Sequence, residues 1–182
     1  MTDIRSADDV LAFWRAAGPD KWFEKNETFD RAIRLNFLST YETAAAGRLR
    51  HWEQSPEDAL ALLIVLDQFP RNMFRATARA FAADARARDI ANRAIANGFD
   101  QAVDHDLRIF FYLPLMHSER LDDQQRCVDL CRALGNENNL KYAELHADII
   151  RRFGRFPHRN PVLGRDTTPE EKAYLEGGGF GG

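Results

Sequence analysis

Apolar residues in this chain recur at three- and four-residue intervals between short polar breaks, and no stretch alternates apolar with polar as a strand would. Val10, Phe13 and Trp14 share one face of a helix predicted over 7–17. Ser6 is its cap, Asp9 its third helical position, and Gly18-Pro19 closes it. A short loop holding Trp22-Phe23 follows. Phe29, Ile33, Phe37 and Tyr41, four apart, predict a second helix from an Asn26 cap to about Ala46, with Gly47 just beyond. Ser55-Pro56-Glu57-Asp58 opens a third, apolar nearly all round at Leu60 and Leu62 to Leu66, which marks it as central and buried. Pro70 disfavours helix at the residue before it, so this helix is expected to stop near Phe69.

A fourth helix is expected over 78–97, with Phe81, Ile90, Ala91, Ala94 and Ile95 inward and Gly98 after it. Residues 106–116 read as a short buried helix, ended or kinked at Pro114. Ser118 can cap the next helix, which Gly135 ends. Over 138–153, Tyr142, His146, Ile149 and Phe153 are expected on one inner face. Thr168-Pro169-Glu170-Glu171 is a capping box opening a last short helix, and 177–182 reads as a frayed tail. The pattern therefore predicts an all-α chain of seven or eight helices in a single domain over 1–182. No fixed-period repeat is visible in the residues themselves.

Composition narrows the function classes. At 45% apolar and 29% charged residues the chain is an ordinary globular protein with room for a sizeable core. The longest apolar run, Leu60 to Leu66, is too short to cross a bilayer, so the expected setting is cytoplasmic and no membrane partner is expected. A pI near 6.0 disfavours nucleic acid, which needs a broad basic face. Cys127 and Cys131, four apart, suit two small buried residues better than a disulfide. No ligand spacing points to a metal, and no cofactor is expected.

Charge is concentrated in one place. Residues 151–165 carry five arginines, one histidine and no acid, so this segment sums to +5 while the rest sums to −8 within the net of −3. Such a loop must dock on the helices, bind an anion, or both. Candidate acids for it are Asp67, Asp84 and Glu119. Asp67 points with the buried face of its helix and needs a partner, for which Arg71 and Arg75 are candidates. His146 falls on an apolar face, and His117 is left over once Ser118 and Glu119 are explained by the helix start. Histidine there would suit acid–base work if a carboxylate pairs with it.

The blocks Leu66-Asp67-Gln68-Phe69-Pro70-Arg71-Asn72, Arg75, Phe81-Ala82-Ala83-Asp84, Leu113-Pro114-Leu115-Met116-His117-Ser118-Glu119 and Arg152-Phe153-Gly154-Arg155-Phe156-Pro157-His158-Arg159-Asn160, with Leu163-Gly164-Arg165, resemble a widespread bacterial family. It is a family of unknown function grouped with tetratricopeptide-like helical proteins, and the likeness runs from Phe13-Trp14 to Thr168. The resemblance implies a tetratricopeptide-like α-α superhelix and no established activity. One departure is that Phe13-Trp14 is followed by Arg15-Ala16, where the family commonly shows Phe-Gly.

Three functions remain open at this point. A binding module would hold a small anionic molecule or peptide carboxylate among Asp67, Gln68, Arg71, Asn72, Arg75, Asp84, Arg152, Arg155, Arg159 and Arg165. An enzyme would use the same pocket with His117, Glu119, His146 or His158 as acid–base groups. A scaffold would use the polar residues only to pin the terminal loop. Residues 151–165 are expected to form half of a site whose other half is 67–75.

Overall fold

The computed structural model describes residues 4–182, and among these the chain is all helical, with no strand. Its α segments are α1 (Ala7–Ala17), α2 (Pro19–Trp22), α3 (Glu27–Ala45), α4 (Pro56–Leu63), α5 (Phe69–Met73), α6 (Asp84–Ala96), α7 (Ile109–Met116), α8 (Leu121–Leu134), α9 (Glu137–Phe153) and α10 (Pro169–Glu176). A π turn at Ile64–Gln68 joins α4 to α5, so the described residues make nine helices rather than seven or eight. The addition is α2, which forms where a loop is expected. Local chemistry sets most starts. Ser6 and Asp9 make a capping box, Asn26 and Ser55 accept from the N–H three residues on, and Thr168 and Glu171 make a second box.

Three boundaries depart from the local signals. The helix that opens at Pro56 runs through Pro70 instead of stopping at Phe69, because the Phe69 N–H reaches back five residues to the Ile64 carbonyl. In a regular helix the proline ring would meet the Leu66 carbonyl, and the wider turn relieves that clash. The helix expected over 78–97 is two pieces, a 3-10 turn at Ala78–Phe81 and then α6. Phe81 and Asp84 both contact the Arg71 guanidinium, and those long-range contacts fix the break. Ser118 does not cap α8. It accepts from the Arg120 N–H and donates to Asp123, holding the turn before the helix, while Arg120 takes the cap position.

The described residues pack as two compact units, 4–75 with 79–114, and 76–78 with 115–182. The core of the first is aromatic. Trp14 lies edge-on to Phe69 and Phe110 and stacks on Trp22, whose indole N–H donates to the Trp14 carbonyl. Around it Ile33, Leu60, Leu62, Leu63, Ile64 and Leu66 are fully buried. In the second unit α8 and α9 form a helical hairpin through Gly135-Asn136, with Gly135 left-handed at the helix end. Cys127 and Cys131 are buried thiols with no disulfide between them, their sulfurs 3.9 Å apart along one face of α8. Ile149, Ile150 and Phe156 make a smaller core, against which Phe153, Tyr174 and Phe180 pack. Tyr142, expected on the inner face of α9, is instead 46% exposed. No described helix is long and apolar enough to cross a membrane.

Candidate functional site

Two polar clusters hold the predicted site residues, one in each unit. The first is built on the π turn. Asp67, only 1% exposed, accepts from the Gln68 amide at 2.6 Å and pairs with Arg71 at 3.4 Å. Arg71 also donates to the Asp67 carbonyl at 2.7 Å and forks onto both oxygens of Asp84 at 2.9 Å each. Burial works against the Arg71 charge, but Asp67 and Asp84 outweigh it and raise its pKa. One turn further, Asp30 of α3 accepts from the Asn72 amide at 2.7 Å and from two nitrogens of Arg75. Every residue predicted here as ligand-binding is thus engaged with a protein group, and Asp30 is the member that sequence reasoning missed. It lies 42 residues before Asn72 on an amphipathic helix, and no local signal marks it.

The second cluster organises the basic segment. Glu119 accepts the Phe156 N–H at 2.8 Å and a fork from Arg165 at 2.9 and 3.0 Å, so it bridges the turn before α8 to both ends of the loop. Burial alone would raise the Glu119 pKa, but Arg165 and the Phe156 N–H outweigh it and hold the carboxyl below its ordinary value. Arg155 forks onto Glu171 at 2.6 and 2.9 Å and donates to the Asp166 carbonyl. Glu171 also takes the Asn160 amide and the Thr168 N–H, and Arg155 above all lowers its pKa to about 2. Arg159 is buried, donating to the His117 carbonyl over the Phe156 ring. Arg151 and Arg152 face outward, towards Asp148 and Glu170.

Of the three acids expected for this loop, Glu119 is one of its anchors, and Asp67 and Asp84 serve Arg71. The other anchor is Glu171, which the capping box at Thr168 had fully accounted for in the sequence. It does both jobs with one carboxylate.

The three candidate histidines, His117, His146 and His158, come together in the second unit. His146, 6% exposed, has its ring 6.5 Å from that of His117, 5.5 Å from Phe156 and 4.6 Å from Phe180. His158 lies 5.7 Å from Phe156 and 5.3 Å from Phe180. Nδ1 of His146 meets the Tyr142 carbonyl at 2.7 Å, so that nitrogen carries the proton. Burial first, then the neighbouring positive groups, lowers its pKa to about 3. At neutral pH this imidazole is neutral and a poor base. No described group of three or more histidine, cysteine or carboxylate side chains could hold a metal.

A shallow cavity of about 380 Å³ lies beside the second cluster, lined by Arg152, Ala173, Tyr174 and Gly177 to Gly179. A second, of about 230 Å³, lies in the first unit between Glu53, Arg93, Asn97 and Phe99. There Glu53 is held by Arg93 at 2.6 Å.

The described residues thus form an all-helical protein with engaged arginines and carboxylates in each unit. Residues 10–179 match the family described as "Bacterial protein of unknown function (DUF924)", and the chain belongs to it. Its structure is similar to that of a protein of unknown function, ATU0120, from Agrobacterium tumefaciens. The two are 51% identical over 94% of this chain and 97% of that one, with a TM-score of 0.91. No curated protein matches the chain.

Proposed function

We propose that this protein is a cytoplasmic, tetratricopeptide-like binding module in which most of the basic segment is structural and one edge of it meets a small anion or peptide carboxylate. The observation that carries this reading is the unequal engagement of the arginines. Arg155, Arg159 and Arg165 are committed to buried or half-buried partners. Arg152 borders the 380 Å³ cavity, and its partner Glu170 is 67% exposed, while Arg152 itself is 48% exposed. A pair that open contributes little, so an external carboxylate or phosphate can replace Glu170 at small cost. Tyr174 and Phe153 support the guanidinium from the side, at 5.5 and 4.6 Å. The buried, unlinked thiols of α8 fit a reducing compartment.

The enzyme reading has less support, because His146 is neutral and engaged with its own helix. The test is a titration with inorganic phosphate, acetate and a short peptide bearing a free carboxylate, followed by amide shifts and melting temperature. Shifts at Arg152 and Tyr174 that vanish in Arg152→Ala and persist in Arg151→Ala are expected. Equal, weak responses in both variants would remove the anion site and leave a scaffold.

A further inference from the structure

The segment 177–182 is five glycines and one phenylalanine, and that phenylalanine is seated. Its ring lies 4.6 Å from His146 and 5.3 Å from His158, both edge-on, over the small core of Ile149, Ile150 and Phe156. Its N–H donates to the Tyr174 hydroxyl at 3.0 Å, and the Gly179 N–H to the Tyr174 carbonyl at 2.9 Å. The approach demands glycine, since a Cβ on Gly179 would lie 2.6 Å from the Tyr174 ring. The expected frayed tail is therefore a fitted segment with one side-chain anchor.

We propose that residues 177–182 form a displaceable latch, in which Phe180 fills an aromatic-recognition slot walled by His146, Phe156 and His158. The slot takes one aromatic side chain on a glycine-flanked backbone, and the chain's own tail occupies it in cis. A single anchor on a glycine-rich backbone has a large ordering cost, so the docked and released states are close in free energy. Release uncovers His146. The groups that face its ring from every side are His117 before α8, His158 and Arg159 after Phe156, and the Tyr142 carbonyl of its own helix. Its low pKa, due first to burial, agrees with a covered ring. The docked tail also builds one wall of the Arg152 cavity, but the latch does not depend on any anion binding there.

The test follows the His146 ring by NMR across pH in the full chain. In Phe180→Ala the imidazole is expected to rise from about 3 towards the ordinary 6.5, by at least about one unit as water reaches it. Gly179→Ala, which keeps the phenylalanine side chain but displaces the backbone that seats it, is expected to move it the same way, and Phe180→Trp is not. A cis segment that docks has a Kd below its effective concentration, which is roughly millimolar for a short flexible link. The peptide Gly-Gly-Gly-Phe-Gly-Gly at several times that concentration is therefore expected to shift the His146 and Phe156 signals of Phe180→Ala and to lower the His146 pKa again. A His146 that still titrates near 3 in both Phe180→Ala and Gly179→Ala would overturn the latch, and so would a peptide with no effect on the His146 signals. Neither result depends on phosphate or carboxylate binding at Arg152.

Discussion

The two polar clusters use the same forked arginine–carboxylate pair to hold different things. In the first unit, Asp67, Arg71 and Asp84 fasten side chain to side chain, and Arg71 also donates to the Asp67 carbonyl at the π turn. In the second, Glu119 and Glu171 each hold a fork on one side and a backbone N–H on the other, those of Phe156 and Thr168. A helix already satisfies most of its own backbone, so its lock can be made mostly of side chains. A loop does not, so its lock must also supply acceptors for the main chain. The basic segment keeps its path because Glu119 supplies an acceptor for the Phe156 N–H, while Glu119 and Glu171 hold Arg165 and Arg155.

The comparison can be broken most severely at the first lock. Asp67→Ala leaves Arg71 short of a buried partner and is expected to cost about 3–5 kcal/mol, read from urea denaturation. Replacing Asp67, Arg71 and Asp84 together with leucine, methionine and asparagine should restore much of that, because no charge of the lock is then left buried without its partner. A joint replacement at Glu119 and Arg165 should recover less, since the Phe156 N–H stays without its acceptor. Equal recovery at both sites would show that the backbone half of the second lock carries no weight.

Glu171→Ala is expected to cost about 2–3 kcal/mol, because a fork, an amide and a backbone N–H all lose one acceptor. Its pH signature sharpens the contrast. The folded pKa of about 2 lies below the ordinary 4.5, so the stabilisation is complete above 4.5 and falls away as pH drops from there towards 2. Wild type should lose stability through that window more steeply than Glu171→Gln. Parallel curves would mean the charge is not what holds Arg155. Glu119→Ala, at a more exposed carboxylate, should cost about 1.5–2.5 kcal/mol and speed hydrogen exchange at Phe156 before other core amides. Smallest of all, Arg151→Ala removes an exposed pair with Asp148 and should stay within about 0.5 kcal/mol of wild type.

What the sequence makes legible follows from how far each cause reaches along the chain. Caps at Ser6, Asn26, Ser55 and Thr168 lie within three residues of what they satisfy, and all four form as expected. The buried character of Asp67 and His146 could be read from one turn of helix. Asp30, Glu171 and the break before Asp84 could not, since their partners lie 42 to 45, 16 and 13 residues away. The passage through Pro70 was hidden for another reason. Proline's local preference is to end the helix, and it is overridden by the burial of residues 60–69 on all sides, apolar at 60–66 and 69.

That passage has a geometric consequence. A π turn holds one residue more than a regular turn, so it offsets the angular phase of everything after it by about 100°. Upstream of it the helix points Leu60 and Leu63 into the core. Downstream, the offset aims Arg71 at Asp84 and Asn72 at Asp30. Deleting one residue from 64–68 would leave a more regular helix and every downstream side chain intact, yet rotate Arg71 and Asn72 off both carboxylates. The extra residue works as a registration mark, setting which of two otherwise equivalent helical faces carries the polar chemistry.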